Sequence, residues 1–228
     1  MDRIDRIRFD LLLVMKGWLL SVLAIGFLWC ACGGVLWSAE PAKVLLEETF
    51  AGELSPEWFW GLGTWGAKDG VLRAFESGER RHGPVKMRKL PLRDATIECD
   101  FRLERGATFA GIIFNGSQER GHLVHLVMGR DQIRILAHPK PGETLELLKK
   151  AHSLTVGEWH HVTMVFAGPK LTATIDGDTT VSASHDCIAE EKLTFGLGGD
   201  SGGPEGEAAG ALEFRKLKIM APSSAEEK

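Results

Sequence analysis

The chain has little of what metal or redox chemistry needs. It carries four cysteines, and Cys30 and Cys32 fall in the first 38 residues. No CxxC pair and no zinc-type ligand spacing occurs. Of the remaining two, Cys99 alternates with Ile97 and Phe101, so it is expected to pack as a small buried hydrophobe. An oxidising compartment would permit a bridge to Cys187. Basic charge is also scarce: 27 Lys and Arg face 31 Asp and Glu, a net charge of −4. Removing residues 1–38 takes away four basic and three acidic side chains and leaves −5. Nucleic-acid binding is therefore excluded, because it needs a clustered basic surface. The local run Arg80, Arg81, Lys86, Arg88 and Lys89 reads as a solvated hairpin edge, where charge discourages strand-to-strand association. Helix signals are thin. Thr144–Ala151 is the best candidate and covers barely two turns. There is no internal repeat.

Only one long apolar run exists. Trp18–Trp37 contains no charged residue over 20 positions, preceded by Arg3, Arg6, Arg8 and Lys16. A basic leader followed by an apolar segment is the pattern of a secretory signal, and the run is long enough to span a bilayer. Residues 1–39 are thus expected to be a signal peptide, cleaved after Ser38 or Ala39, or an uncleaved signal anchor. A weak lipidation signal lies at Cys32. Asp2, Asp5 and Asp10 are unusual in such a leader, and Met15 opens a more conventional one. The expectation is export to the periplasm, the extracellular space or the membrane-anchored cell envelope, with membrane contact only through this segment.

From about Val44 onward, short alternating runs are separated by turn residues, the signature of an antiparallel sandwich or barrel. Ile97, Cys99, Phe101 and Leu103 share one face of Thr96–Leu103. Val162, Met164 and Phe166 share a face, and Trp159, His161 and Thr163 the other. Asp69-Gly70 and Asp176-Gly177 are hairpin signals, since these residues tolerate the positive φ of type I′ turns. Leu212 and Phe214 alternate on even positions, then Leu217 and Ile219 on odd ones, which predicts a β-bulge near Arg215–Lys216. The fold class is all-β, a two-sheet antiparallel sandwich of jelly-roll type over residues 44–220, with a polar tail at 221–228.

Gly199-Asp200-Ser201-Gly202-Gly203-Pro204 matches the nucleophile segment of chymotrypsin-like proteases. A triad needs a histidine base and a buried aspartate besides the serine, and no Ala-Ala-His-Cys-like segment occurs. The stretch reads as a glycine-rich connection. Gly61-Leu62-Gly63-Thr64-Trp65-Gly66 has GxGxxG spacing but no following helix, so it reads as a turn between strands. Glu98, Asp100, Arg102 and Glu104 share a strand face, with alternate residues roughly 6.5–7 Å apart. Paired carboxyl groups at comparable spacing flank the scissile bond in glycosidases. Arg102, which cannot donate a proton at neutral pH, stands where the third acid of such a motif belongs. The alternative is a polar sheet face crossed by ion pairs. Trp58 and Trp60 are candidates to stack on sugar rings, although core or edge packing is the simpler reading, and Trp65 is placed in the core. Among eight histidines, His160 and His161 point to opposite faces. His125 alternates out of the Val124/Leu126 set and is kept as a site candidate. Asn115-Gly116-Ser117 is a glycosylation sequon.

Several segments together resemble one family. Trp65-Gly66-Ala67-Lys68-Asp69-Gly70-Val71-Leu72 is similar to its "Trp-x-Val-x-Asp-Gly-Val-Leu" opening, and Cys99-Asp100-Phe101-Arg102-Leu103 to its "x-Phe-Arg-Leu" strand. Ala110-Gly111-Ile112-Ile113-Phe114-Asn115 resembles "Ser-Gly-Ile-Phe". Gly157-Glu158-Trp159-His160-His161-Val162 with Ile175-Asp176-Gly177 resembles "Gly-Glu-Trp-Asn…Leu-Asn-Gly". Leu212–Ile219 resembles the closing "Phe-Arg-Asn-Ile-x-Ile". The family is the 3-keto-disaccharide hydrolase domain, a concanavalin A-like sandwich often exported by bacteria; laminin-G-like domains share the fold and the Gly-Glu-Trp-His-His-Val segment. The resemblance spans about residues 44–220.

It implies a carbohydrate ligand and action on 3-keto-glycosides. A C3 ketone acidifies the proton at C2, so a general base can start elimination of the leaving sugar while a cation steadies the enolate. The expected base is Glu98, Asp100 or His125, with Arg102 as the cation and Trp58, Trp60 and Asn115 as substrate contacts. Where the family's late strand reads "Gly-Leu-Gln-x-His-Gly", this chain reads Gly196-Leu197-Gly198-Gly199-Asp200, which implies weakened or lost activity. The alternative is a non-catalytic carbohydrate-binding or laminin-G-like adhesion module. No cofactor or metal ligand set is implied, a divalent cation such as calcium is left open, and so is the oligomeric state.

Overall fold

Strict alternation of apolar and polar residues places one set of side chains between two sheets. The computed structural model describes residues 42–77, 82–203 and 210–222, all within the unit Ala39–Lys228. The leader at 1–39, Arg80 and Arg81 of the basic run, Pro204 and residues 223–228 of the polar tail lie outside the described residues. In chain order the strands are β1 (Val44–Glu48), β2 (Trp60–Leu62), β3 (Thr64–Lys68), β4 (Val71–Phe75) and β5 (Val85–Leu92). Next come β6 (Ala95–Leu103), β7 (Phe109–Asn115), β8 (His122–Gly129), β9 (Gln132–Ala137) and β10 (Leu145–Ala151). The last are β11 (His160–Ala167), β12 (Lys170–Ile175), β13 (Thr179–Ser184), β14 (Lys192–Asp200) and β15 (Leu212–Met220). A 3-10 turn, Asp186–Ala189, is the one helical element among the described residues, and no helix there is long and apolar enough to cross a membrane.

An eight-stranded sheet runs β13-β12-β11-β6-β15-β4-β3, with β1 also paired to β15. A seven-stranded sheet runs β10-β9-β8-β7-β14-β5-β2. All pairings are antiparallel. Ile97, Cys99, Phe101 and Leu103 of β6 face Ile112 and Phe114 of β7 and Phe195 and Leu197 of β14 across one core. Phe101, Phe114, Phe195 and Phe214 are fully buried; each such side chain contributes about 1.5–3 kcal/mol of transfer free energy.

The turn and bulge expectations hold. Asp69 and Gly70 adopt φ of 52° and 82°, and Asp176 and Gly177 adopt 52° and 78°. The register of β15 against β6 shifts between Arg215 and Lys218, with Lys216 at φ 51°, which lets Leu212, Phe214, Leu217 and Ile219 all reach the core. The helix expected at Thr144–Ala151 is wrong. That segment forms the edge strand β10 on β9, because ladder hydrogen bonds outweigh the weak helical preference of so short a stretch. Cys99 and Cys187 are buried and unbridged.

Candidate functional site

The acids singled out from sequence lie on the outer face of the eight-stranded sheet. There Asp100 is an ion-pair hub. Its carboxylate accepts from His161 Nδ1 at 2.8 Å, Arg215 Nε at 3.0 Å and Lys216 Nζ at 3.1 Å. Burial alone would raise its pKa, but these bonds outweigh burial and hold it below the usual carboxylate range. A carboxylate so committed and held below the usual range is a weak base toward a substrate proton. Arg102 donates its Nε to Glu213 at 2.6 Å, and Arg73 binds Glu104 and Glu213. The Arg102 and Arg215 guanidinium carbons lie 4.7 and 4.1 Å from the Trp159 ring centre. Glu98 lines a shallow groove of about 550 Å³ beside Asp100, His161 and Lys218. The polar-face alternative is the better description of this surface.

His125 is elsewhere. Its neighbours Val124 and Leu126 enter the core, so it projects from the outer face of the seven-stranded sheet. The core therefore separates it from Glu98, Asp100 and Arg102, so His125 as the base cannot work with Arg102 as the cation. Trp58 is also misassigned. It is 4% exposed, packs edge-on against Phe195 at 5.4 Å and donates Nε1 to Glu48 at 3.1 Å. A large ring at the rim of the core buries more area inward than outward. Trp60, by contrast, is 47% exposed. Trp65 is half-buried and stacks on Phe214. Ser201 of the protease-like segment is fully buried, accepting from Glu76 N and donating to Gly203 O.

What surrounds His125 forms the better site. The β8–β9 hairpin brings together His122, His125 and His138, with ring centroids 4.6, 4.5 and 5.3 Å apart. His122 Nδ1 meets Asn115 Oδ1 at 2.8 Å. The amide oxygen only accepts, so Nδ1 carries the hydrogen and Nε2 keeps its lone pair. His138 Nδ1 meets the Glu143 carbonyl at 3.2 Å with the same consequence. The Nε2 atoms of His125 and His138 are buried without a partner, as is Nε of Arg134. Register pairs His125 with Leu136 and Val127 with Arg134, so Arg134 is the diagonal neighbour of His125 on this face. Arg120 fixes the cluster's backbone: it donates to the carbonyls of His122 (3.1 Å) and His138 (2.7 Å) and forks onto Glu190. His122 and His138 border a cavity of about 250 Å³ that also touches Lys140 and Thr144.

Burial lowers the pKa of all three histidines. For His125 burial and the two neighbouring imidazoles bring it to about 3. The cluster is therefore neutral at pH 7 and rich in acceptor lone pairs, which suits hydroxyl recognition and proton abstraction. Among the described residues no three His, Cys, Asp or Glu side chains converge as a metal shell.

The model of a family described as the 3-keto-alpha-glucoside-1,2-lyase-like domain matches residues 48–220. The chain belongs to that family. No curated protein sequence matches the chain. Solved structures similar to this lyase-like domain include a galectin-like-fold protein from Bacillus subtilis (TM-score 0.63, 12% identity, 79% of this chain and 97% of that one). A laminarinase from Flavobacterium sp. UMI-01 gives TM-score 0.59 at 15% identity over 78% and 100% of the two chains. The carbohydrate-binding module CBM66 of Bacillus subtilis gives 0.54 at 12% over 70% and 92%. At such identities the likeness concerns the sandwich fold.

Asn115, Trp60 and His125 were legible in the sequence of this lyase-like domain; His122 as a partner of His125, His138, Arg134 and Arg120 were not picked out. Arg134 and His138 do alternate off the Ile133/Ile135/Ala137 core set, which was the available signal. Their meeting with His125 depends on hairpin register, which alternation does not reveal.

Proposed function

We propose that the chain is an exported protein that eliminates the leaving group of a 3-keto-glycoside at the histidine face of its seven-stranded sheet. The observation that carries this is the neutral cluster His122/His125/His138, with two buried imidazole nitrogens lacking partners. His122 is the base: it is the most exposed of the three, its Nδ1–H is held by Asn115, and its Nε2 therefore carries the lone pair. The C2–H bond breaks toward Nε2 and its electron pair passes into the enolate. The C1=C2 bond then forms as the C1–O bond breaks, and the departing oxygen takes up a proton. Arg134 beside His125, only loosely paired with Glu146 at 3.7 Å, supplies positive charge to the enolate oxygen, a contribution largest where water is excluded. The basic, apolar leader supports export to the cell envelope.

The test is release of free sugar from a 3-keto-disaccharide by the purified chain. Turnover should fall at least about a hundredfold in His122→Gln. Because burial lowers the His122 pKa, the acid limb of the rate profile should lie below the ordinary imidazole value of about 6.5. Full activity in His122→Gln would refute the assignment. Gly198 and Asp200, standing where the family carries Gln and His, favour a second reading, a non-catalytic carbohydrate-binding domain. Binding of the keto-sugar without turnover would select it.

A further inference from the structure

The histidine end of this face is aligned with an exposed aromatic at the opposite edge of the same sheet. Trp60 pairs with Met87, Met87 with Gly196, Gly196 with Ile113, and Ile113 with His125. Cross-strand partners share a face, so these five residues form one row across β2, β5, β14, β7 and β8. The three between Trp60 and His125 carry no polar side chain. The two ends differ in kind. At one end, two imidazole nitrogens lack hydrogen-bond partners. At the other, Trp60 and its neighbour Phe59 are 47% and 50% exposed, the two exposed large aromatics among the described residues. Four strand spacings separate Trp60 from His125, about 19 Å. A pyranose unit advances by about one such spacing (~5 Å), so a disaccharide seated at His122 and His125 stops well short of Trp60.

We infer that Trp60 is a distal stacking subsite and that the ligand of this face is an oligosaccharide of about four or more pyranose units, its reactive ring at the histidines. This rests on the proposed sugar site at the histidine cluster and adds the ligand's length and direction. An indole ring facing solvent meets the apolar face of a pyranose with little entropic cost, because its two side-chain torsions are few. The Met87 side chain lies over Gly196, so the middle of the row is an apolar floor between the two ends. A Cβ on Gly196 or Gly198 would lie within 3 Å of neighbouring atoms, Met87 Sδ and Pro84 O respectively.

The experiment separates length from chemistry. Binding of unoxidised β-glucan and mannan oligosaccharides, from disaccharide to hexasaccharide, is measured by calorimetry on the full chain, the Trp60→Ala and Trp60→Phe variants, and His122→Gln. Affinity should rise about tenfold between the disaccharide and the tetra- to hexasaccharides in at least one series. Trp60→Ala should remove that gain while leaving disaccharide binding unchanged, and Trp60→Phe should keep most of it. His122→Gln should weaken every length equally. A keto-sugar assay that fails while the length gain persists refutes the elimination chemistry and leaves the subsite standing. No length dependence, a gain that survives Trp60→Ala, or no binding by any series overturns the subsite.

Discussion

Asp100 and Lys192 illustrate how one residue's surroundings fix its role. Asp100 sits on a sheet face with its side chain nearly buried, two cationic partners in Arg215 and Lys216, and the His161 imidazole as a third hydrogen-bond partner. Asp100→Asn keeps the shape and removes the charge. Its partners are partly exposed and screened by water, so we expect a loss of about 2 kcal/mol, or a melting temperature lower by roughly 4–8 °C. Turnover of a keto-glycoside, if His122 is the base, should be unchanged. A variant that melts normally but loses activity would return the catalytic role to the eight-stranded sheet. Lys192 is fully buried, yet its ammonium donates to the carbonyls of Arg93, Ile188 and Glu190 at 3.0, 2.5 and 3.1 Å and lies 4.3 Å from the Phe166 ring. Burial is the main reason that its pKa falls to about 8. Lys192→Met fills the same space but leaves three carbonyls without a donor. Destabilisation of about 3 kcal/mol or more is expected in denaturant titration, and an unchanged midpoint would show that water replaces the ammonium.

At the scale of elements, the bulge in β15 decides which side chains enter the core. With Lys216 inserted, Leu217 and Ile219 point inward and Lys218 outward. Deleting Lys216 would restore regular pairing and turn Leu217 and Ile219 toward solvent. Losing two buried aliphatic side chains costs roughly 4 kcal/mol or more, so the deletion should give little soluble protein or a melting point lowered by more than 8 °C. A deletion variant that melts like the parent would mean the strand slides without penalty. Elements also account for the one secondary-structure expectation that failed. Thr144–Ala151 has Leu145, Leu147 and Leu148 in a pattern that suits either period. Its hairpin partner β9 was the deciding factor, and pairing is invisible in a local window.

For the whole molecule, the neutral histidines link folding to pH. The folded-state pKa of His125 is about 3, below the unfolded value near 6.5. Between these values the unfolded chain binds more protons, so stability falls as pH drops. His122 and His138 are shifted in the same direction, and the lowered Asp100 adds to the loss below its unfolded value. Melting temperature should therefore be level between about pH 6.5 and 7.5 and decline steadily toward pH 4. His125→Gln should flatten that decline. Melting curves that superimpose from pH 7 to pH 4.5 would contradict the burial of a neutral cluster.

Alternation, turn chemistry and the change of parity near Lys216 were sufficient to define a two-sheet sandwich with its core residues, because those signals are local and each strand carries its own. They also marked Trp60, Asn115 and His125 as candidates. Which outer face gathers buried, unpartnered histidine nitrogens is visible only in three dimensions. Glu98, Asp100 and Arg102 look like a catalytic row along one strand, but β11 and β15 bring His161, Arg215 and Lys216 onto Asp100 and Glu213 onto Arg102. The β8–β9 hairpin gathers His138 and Arg134, remote in sequence, onto the opposite face beside His125, where burial leaves their nitrogens without partners. Side-chain charge is written in the chain; whether that charge is already spent on a neighbour depends on strand order and register.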